Sequence, residues 1–177
     1  SRETRELPKA DSVPFCAVPQ VLTNDPESFL WAAEVCRDLG YAEINLNAGC
    51  PSGTVVAKRK GSGMLRDLDS LASFFDRIFA KSPLPVSVKT RLGMEEPDEF
   101  EKILALYNRY PIRELIVHPR VRRQFYEGQV QVEWFRYSAE HTAIPLCYNG
   151  DIRSLSDAAA LEAQFPGLEA VMVGRGL

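Results

Sequence analysis

Short apolar runs alternate along the chain with longer segments whose apolar residues recur at helical spacing. The runs are rich in Val, Ile, Leu and Ala, and they predict strands at 14–22, 42–47, 84–90, 112–118, 143–149 and 168–174. The longer segments predict helices at 29–40, 68–81, 98–110, 132–141 and 154–165. Polar stretches between them predict loops at 48–64, 91–97 and 119–131.

Capping residues support the predicted helix ends. Asp25 followed by Pro26 is a helix-start signal, because proline suits the first helical turn. Gly40 closes the first helix as a C-cap residue. Ser154, with Asp157 three positions later, resembles a capping box that opens the last helix.

Strands that alternate with helices in this way indicate a parallel sheet with right-handed crossovers, either a doubly wound sheet or a barrel. The polar residues of interest all follow the carboxyl ends of strands. Only in a (β/α)₈ barrel do all such ends open at one mouth, so the pattern favours the barrel. A whole barrel needs about 250 residues and eight strands. We therefore predict an α/β fold in which residues 1–177 form a partial TIM-barrel catalytic domain, with about six of the eight units.

Composition narrows the function classes. The chain has 177 residues and a formal net charge of −3, which is ordinary for one globular domain and gives no overall basic field. No apolar run approaches the ~20 residues of a membrane helix, and the charged N-terminus does not read as a signal peptide. The four cysteines form no CxxC pair, and the two histidines lack zinc spacing. We expect reduced thiols, a cytoplasmic location, and neither a metal nor a membrane partner.

One cysteine differs from the other three. Cys16, Cys36 and Cys147 fall on predicted strands or a helix face, where a buried structural thiol is the simplest interpretation. Cys50 instead lies between Gly49 and Pro51, just past a strand, and this loop position favours a functional role. An unperturbed thiol titrates near about 8.5, so it is mostly protonated at neutral pH and can act as a general acid.

Further candidates end other strands. Lys89 ends one strand and Arg91 follows on the same face if the strand continues; a lysine there needs an anion or a π-system, or else is an ordinary surface residue. His118 ends another strand, where a core or rim histidine is the commoner alternative. Gln20 is the weakest of these candidates.

Two glycine-containing motifs follow the last two strands. Asn149-Gly150-Asp151 and Gly174-Arg175-Gly176 stand where a barrel typically holds a phosphate on backbone N–H groups. Basic residues also occur at 58–60 and at Arg120, Arg122 and Arg123, the latter beside Phe125 and Tyr126. Such runs are usually solvated charge, although arginines interleaved with aromatic residues also suit RNA.

Five motifs occur in a fixed order along the chain: NLNAGCPSGTVVAKRKGSGML, VSVKTRLG, LIVHPR, CYNGDI and VMVGRG. Together they resemble the tRNA dihydrouridine synthase family. The resemblance runs from about residue 18 to residue 177. It implies an FMN-dependent TIM barrel that reduces uridines of tRNA to 5,6-dihydrouridine, with NADPH as reductant. It also implies a helical tRNA-binding domain that residues 1–177 do not include. Pro119 departs from the family, since many relatives have His-Gly-Arg at this point.

The resemblance also assigns roles. It implies that Cys50 donates a proton to uracil C5. It matches eight positions to flavin contacts, namely Gln20, Lys89, His118, Asn149, Gly150, Asp151, Gly174 and Arg175. It matches Asn47 to a uracil contact and suggests that Arg91 and Tyr126 assist substrate binding.

Three alternatives remain open from the sequence. The chain could belong to an FMN-dependent reductase of a small molecule, against which the basic loops argue mildly. Lys89 could form a Schiff base in an aldolase-like barrel without flavin. A non-enzymatic RNA-binding protein is the third alternative.

Overall fold

Six parallel strands form one sheet in the computed structural model, which describes residues 7–168 and 170–174. Each strand pairs with the next along the chain. The strands are β1 (Gln20–Val21), β2 (Ile44–Ala48), β3 (Val86–Arg91), β4 (Leu115–His118), β5 (Leu146–Tyr148) and β6 (Ala170–Val171).

Helices connect the strands and cover the sheet. They are α1 (Pro26–Asp38), α2 (Gly53–Ala57), α3 (Leu68–Lys81), α4 (Glu99–Tyr107), α5 (Val132–His141) and α6 (Leu155–Gln164). Three 3₁₀ turns add to these at Ala10–Ser12, Gly61–Arg66 and Arg122–Gln124.

The strand order explains why the carboxyl ends meet. An open doubly wound sheet reverses its order at a switch point, whereas here the order runs from β1 to β6 without reversal. This confirms the partial barrel. β2, β3 and β4 are buried along almost their whole length, because helices such as α3 place Phe75 and Ile78 in the core against them.

The predicted helix ends are confirmed. Asp25 caps α1 by accepting the N–H of Ser28 at 2.9 Å, and Gly40 follows this helix with a φ of +87°. At α6, the Ser154 hydroxyl accepts the N–H of Asp157 at 3.2 Å. The helices predicted at 68–81 and 132–141 have these bounds in the structure.

Two predictions about local structure are wrong. The predicted loop at 48–64 contains α2 and part of a 3₁₀ turn, although its glycines and β-branched residues disfavour helix. Burial of Val56 and close packing of Gly63 on its backbone stabilise this segment instead. The predicted strand at 14–22 is reduced to β1, because residues 14–19 form no ladder with β2.

Among the residues that the structure describes, no helix is long and apolar enough to cross a membrane.

Candidate functional site

A cleft of about 860 Å³, counting the open space at its mouth, lies at the carboxyl ends of the strands. Without that open space its volume is about 260 Å³, slightly below the roughly 300–1,000 Å³ of typical small-molecule pockets. Ten of the predicted site residues line it: Asn47, Cys50, Lys89, Arg91, His118, Tyr126, Asn149, Gly150, Asp151 and Gly174. Residues from five strand ends therefore converge on one cavity, as the barrel prediction requires.

The backbone around Cys50 is fixed on both sides. The side-chain oxygen of Asn47 accepts the N–H groups of Gly49 at 3.1 Å and Cys50 at 2.9 Å. The Ser62 hydroxyl and N–H both donate to the carbonyl of Cys50, at 2.9 and 3.0 Å. The thiol is partly exposed and faces the cleft, so its loop position is confirmed.

Arg91 ties two loops of the site together. β3 continues through this residue, and the guanidinium is 1% exposed. Its Nε donates to the carbonyl of Gly49 at 3.0 Å and its Nη1 to that of Val121 at 3.1 Å. The guanidinium also lies 5.2 Å from the ring centre of Tyr126. Arg91 thus lines the cleft, and two of its N–H groups hold the loops.

Lys89 carries an amine that holds its proton less tightly than an ordinary lysine does. Its pKa falls from 10.5 to about 8, mainly because the amine is buried and also because the charge of Arg91 lies nearby, while Cys147 and Cys50 oppose the shift. An amine in this state is stabilised as a cation when an anion binds beside it. Lys89 lines the cleft, and its contact with a flavin stays a prediction.

His118 is 5% exposed and stays neutral. Burial is the main reason that its pKa falls to about 3, and the charges of Arg91, Lys89 and Arg120 act in the same direction. Its ring centre lies 6.2 Å from that of Tyr126. The imidazole is therefore a neutral hydrogen-bonding group rather than a cation.

Arg120 was read from the sequence as solvated charge, and that interpretation is wrong. The residue is 1% exposed, and its guanidinium forms a two-pronged ion pair with Asp151, with one arm at 3.1 Å. Arg123, from the same run, pairs with Glu96 on the surface at 3.0 Å. The run therefore contributes fewer free cations than its composition suggests.

The two glycine motifs have different outcomes. Asn149 is 7% exposed and donates from its side chain to the Met172 carbonyl at 2.9 Å, which ties the loop after β5 to the segment after β6. Because Arg120 engages the carboxylate of Asp151, only the backbone of that residue is suited to a phosphate. Gly174 lines the cleft, whereas Arg175 lies outside the described residues.

Gln20 does not line the cleft. It is exposed on β1, accepts a hydrogen bond from the Asn47 amide at 2.8 Å and donates to Asn45 at 2.7 Å. It therefore acts on the described cleft through Asn47. Sequence reasoning missed Ile152, Arg153 and Met172, which also line the cleft. The one signal for Arg153 was its position between the Asn-Gly-Asp motif and the cap of α6.

Of the other three cysteines, two are buried, as predicted for structural thiols. Cys36 and Cys147 are buried, and burial is the main cause that raises the pKa of Cys147 to about 12. Cys16 is exposed and lies outside any strand, contrary to its predicted place. Within the described residues, no group of three or more His, Cys, Asp or Glu side chains could hold a metal ion.

The cleft carries an excess of positive charge. Lys89, Arg91 and Arg153 line it, and Asp151, the one acid among the described residues of the lining, is paired with Arg120. A partly exposed thiol stands in this field. The arrangement suits an anionic ligand together with a group that receives a proton from sulfur.

Comparisons with known proteins identify the family of the chain. Residues 2–177 match the family model for dihydrouridine synthase. A probable tRNA-dihydrouridine synthase of Rickettsia prowazekii (strain Madrid E) is 34% identical over 166 residues, which is 93% of this chain and 50% of the relative. The tRNA-dihydrouridine synthase B of Proteus vulgaris is 32% identical over 158 residues, 88% of this chain and 48% of the relative. The chain thus spans about half the length of the curated relatives that it matches.

Solved structures support the fold alone. A 2,3-dimethylmalate lyase of the PEP mutase/isocitrate lyase superfamily aligns with a TM-score of 0.56 at 14% identity, over 99% of this chain and 69% of that protein. Histamine dehydrogenase from Rhizobium sp. 4-9 aligns with a TM-score of 0.54 at 12% identity, over 85% of this chain and 25% of that protein. The family match over nearly the whole chain, on a fold that brings its predicted site residues into one cleft, shows that the chain belongs to the dihydrouridine synthase family.

Proposed function

We propose that the protein carrying this chain reduces uridine in tRNA to 5,6-dihydrouridine, with FMN as cofactor, NADPH as reductant and Cys50 as proton donor. The observation that carries the proposal is the convergence of Cys50, Lys89 and His118 on one positively charged cleft in a member of this family. The further helical tRNA-binding domain stays a prediction.

The chemistry of the cleft fits a flavin nucleotide. A phosphate dianion suits the excess of cations, with Arg153 and the backbone at Gly150 and Gly174 as its neighbours. Lys89 and His118 would hold the ring through its polar edge. When bound and reduced, FMN supplies a hydride. Replacement of Arg153 by Gln should therefore reduce the flavin absorbance of the purified protein, and unchanged flavin content would contradict this assignment.

Cys50 supplies the second half of the reduction. Saturation of the uracil C5–C6 double bond adds a hydride to C6 and a proton to C5. The S–H bond of Cys50 breaks as the new C–H bond forms at C5, and the sulfur is left as a thiolate that water reprotonates. Lys89 and Arg91 both interact electrostatically with Cys50, so positive charge stabilises this thiolate.

The mouth of the cleft suits a base extruded from RNA. Uracil within a folded tRNA must leave its stack to reach a thiol that lines a cleft. Tyr126 is 49% exposed and lines this mouth, where it offers a stacking face. The guanidinium carbon (Cζ) of Arg122 lies 4.9 Å from the ring centre of Phe125, whose side chain is exposed. Tyr126, Phe125 and Arg122 belong to one arginine-rich loop, and this combination of aromatic and basic side chains suits an RNA substrate.

The test uses the full-length flavoprotein, unmodified tRNA and NADPH. Cys50→Ala should lower dihydrouridine formation by at least about 100-fold, which is the usual contribution of general acid catalysis. Flavin reduction by NADPH should stay unchanged, since the thiol acts only on uracil. Cys16→Ala is the matched control, because that thiol is exposed and lies outside the cleft. Equal turnover in Cys50→Ala and Cys16→Ala would refute the role of Cys50.

The Schiff base on Lys89 that the sequence left open is disfavoured, because the chain belongs to the dihydrouridine synthase family. Full-length protein that contains no flavin, and in which borohydride attaches a carbonyl substrate to Lys89, would reverse this conclusion.

A further inference from the structure

We propose that Arg120, anchored by Asp151, is a positioning residue that fixes His118 in the neutral form carrying its proton on Nδ1. The inference does not depend on the proposed function, because it concerns only side chains that contact each other in this chain. It gives a role to an arginine that the sequence presents as one more surface cation.

The hydrogen bond between the two side chains has one possible direction. Nη1 of Arg120 lies 3.2 Å from Nε2 of His118. A guanidinium has only donors and is not deprotonated in proteins, so Nε2 must accept. An imidazole that accepts at Nε2 and is neutral holds its proton on Nδ1, since the bond made by one ring nitrogen sets the state of the other.

Several hydrogen bonds fix the orientation of the Arg120 guanidinium. Both arms of its guanidinium engage the carboxylate of Asp151, and Nη2 also donates to the carbonyl of Gly128 at 2.6 Å. Nη1 donates one of its two hydrogens to Asp151 and the other to His118. A two-pronged pair whose arginine is buried has a fixed geometry, so it can orient a third group.

Pro119 brings the two side chains together. The N–H of Arg120 donates to the carbonyl of His118 at 2.7 Å, which closes a tight three-residue turn with Pro119 at its centre. Proline holds φ near about −65°, a value suited to that central position. The carbonyls of Pro119 and Arg120 also accept the N–H groups of Gln131 and Leu92, at 2.8 and 3.1 Å. The turn therefore folds Arg120 back onto the residue that ends β4.

The positive charges around the imidazole of His118 also favour its neutral form. His118 is faced by Lys89 and Arg91 from β3 and by Arg120 and Tyr126 from the loop after β4. Asp151 faces it from the loop after β5, with its charge engaged by Arg120. A second proton on the imidazole would meet three cations. The ring is left with Nδ1–H as its donor, suited to an acceptor atom of a bound ligand.

Nitrogen NMR of the full-length protein, labelled on histidine and free of flavin and RNA, tests the inference directly. His118→Gln identifies the signals of His118, and His141, exposed at the end of α5, is an internal control. In the wild type we expect Nδ1 of His118 to be protonated and Nε2 to be bare, the reverse of the form that free histidine prefers in water. This state should persist as the pH is lowered through the usual range of histidine titration.

Arg120→Met removes the donor while keeping similar length. We expect His118 to shift towards the Nε2–H form and to become protonated at a higher pH, because a neighbouring cation is gone. The signals of His141 should not move. A wild-type His118 protonated on Nε2 would overturn the inference even if Arg120→Met fails to fold. A folded Arg120→Met variant with an unchanged His118 would also overturn it.

Discussion

Gly61 packs directly against Cys50. A Cβ atom placed on Gly61 would lie 2.8 Å from the carbonyl oxygen of Cys50 and 2.9 Å from its Cβ, and Gly61 has a φ of +56°. Both the close approach and the left-handed backbone exclude a side chain at this position. The 3₁₀ turn that begins at Gly61 therefore packs closely against Cys50.

Gly61→Ala should displace Cys50 and slow turnover by about 100-fold, the effect expected of a shift of roughly 1 Å at a reacting group. It should also lower the free energy of unfolding by about 1–3 kcal/mol. Gly167→Ala is the matched control, because Gly167 also has a positive φ, of +92°, but a Cβ there meets nothing within 4 Å. Dihydrouridine formation measured beside urea unfolding separates the two effects. If both variants keep full turnover, Gly61 does not position Cys50.

The convergence of the site could be predicted from the sequence because it follows from topology. Once strands and helices alternate, the carboxyl ends of parallel strands lie on one side of the sheet. Cys50, Lys89 and His118 each follow or end such a strand, so their meeting required no knowledge of packing. Register and loop conformation were not needed for this step.

Features that depend on tertiary contacts could not be predicted in this way. The helix α2 forms against local propensity, because its stabilisation comes from burial of Val56 and from the close packing of Gly63 on its backbone. The burial of Arg120 depends on Asp151, which is 31 positions away along the chain. Neither contact leaves a periodic or compositional signal in the sequence.

Lys89 destabilises the unliganded protein at neutral pH. Its pKa in the fold is about 8, against 10.5 in the unfolded chain, so the folded protein binds that proton less tightly. The cost is fully present below about pH 8 and disappears as the pH rises towards 10.5, where both states lose the proton. Lys89→Met should therefore raise the free energy of unfolding at pH 7 by up to about 3 kcal/mol.

Urea unfolding of the flavin-free protein at several pH values measures this effect. The gain from Lys89→Met should shrink between about pH 8 and 10.5. Lys58→Met serves as the control, since Lys58 is exposed at the end of α2 and should change stability little. A destabilised Lys89→Met at pH 7 would show that the ammonium is favourably paired in the unliganded cleft.

His118 should make the protein sensitive to mild acid. Its pKa falls from an ordinary 6.5 to about 3 in the fold, so the unfolded state alone takes up the proton in between. Stability is therefore lost as the pH falls below about 6.5, by about 1.4 kcal/mol between pH 7.5 and pH 5.5. His118→Gln should remove this part of the loss. His141→Gln, at an exposed position, should not, and equal pH dependence in the two variants would contradict the prediction.

Lys58 should contribute to binding of tRNA through a phosphate contact. It is exposed and begins the basic segment that follows the Cys50 loop, while its carbonyl accepts the Asn24 amide at 3.2 Å, a bond that a side-chain substitution leaves intact. Each phosphate contact adds about 0.7–0.9 to the slope of log affinity against log salt, because a counterion is released. Lys58→Gln should lower the slope by about that amount. Lys102→Gln, which removes an exposed charge on α4, should leave the slope unchanged, and equal slopes for the two variants would place the RNA elsewhere.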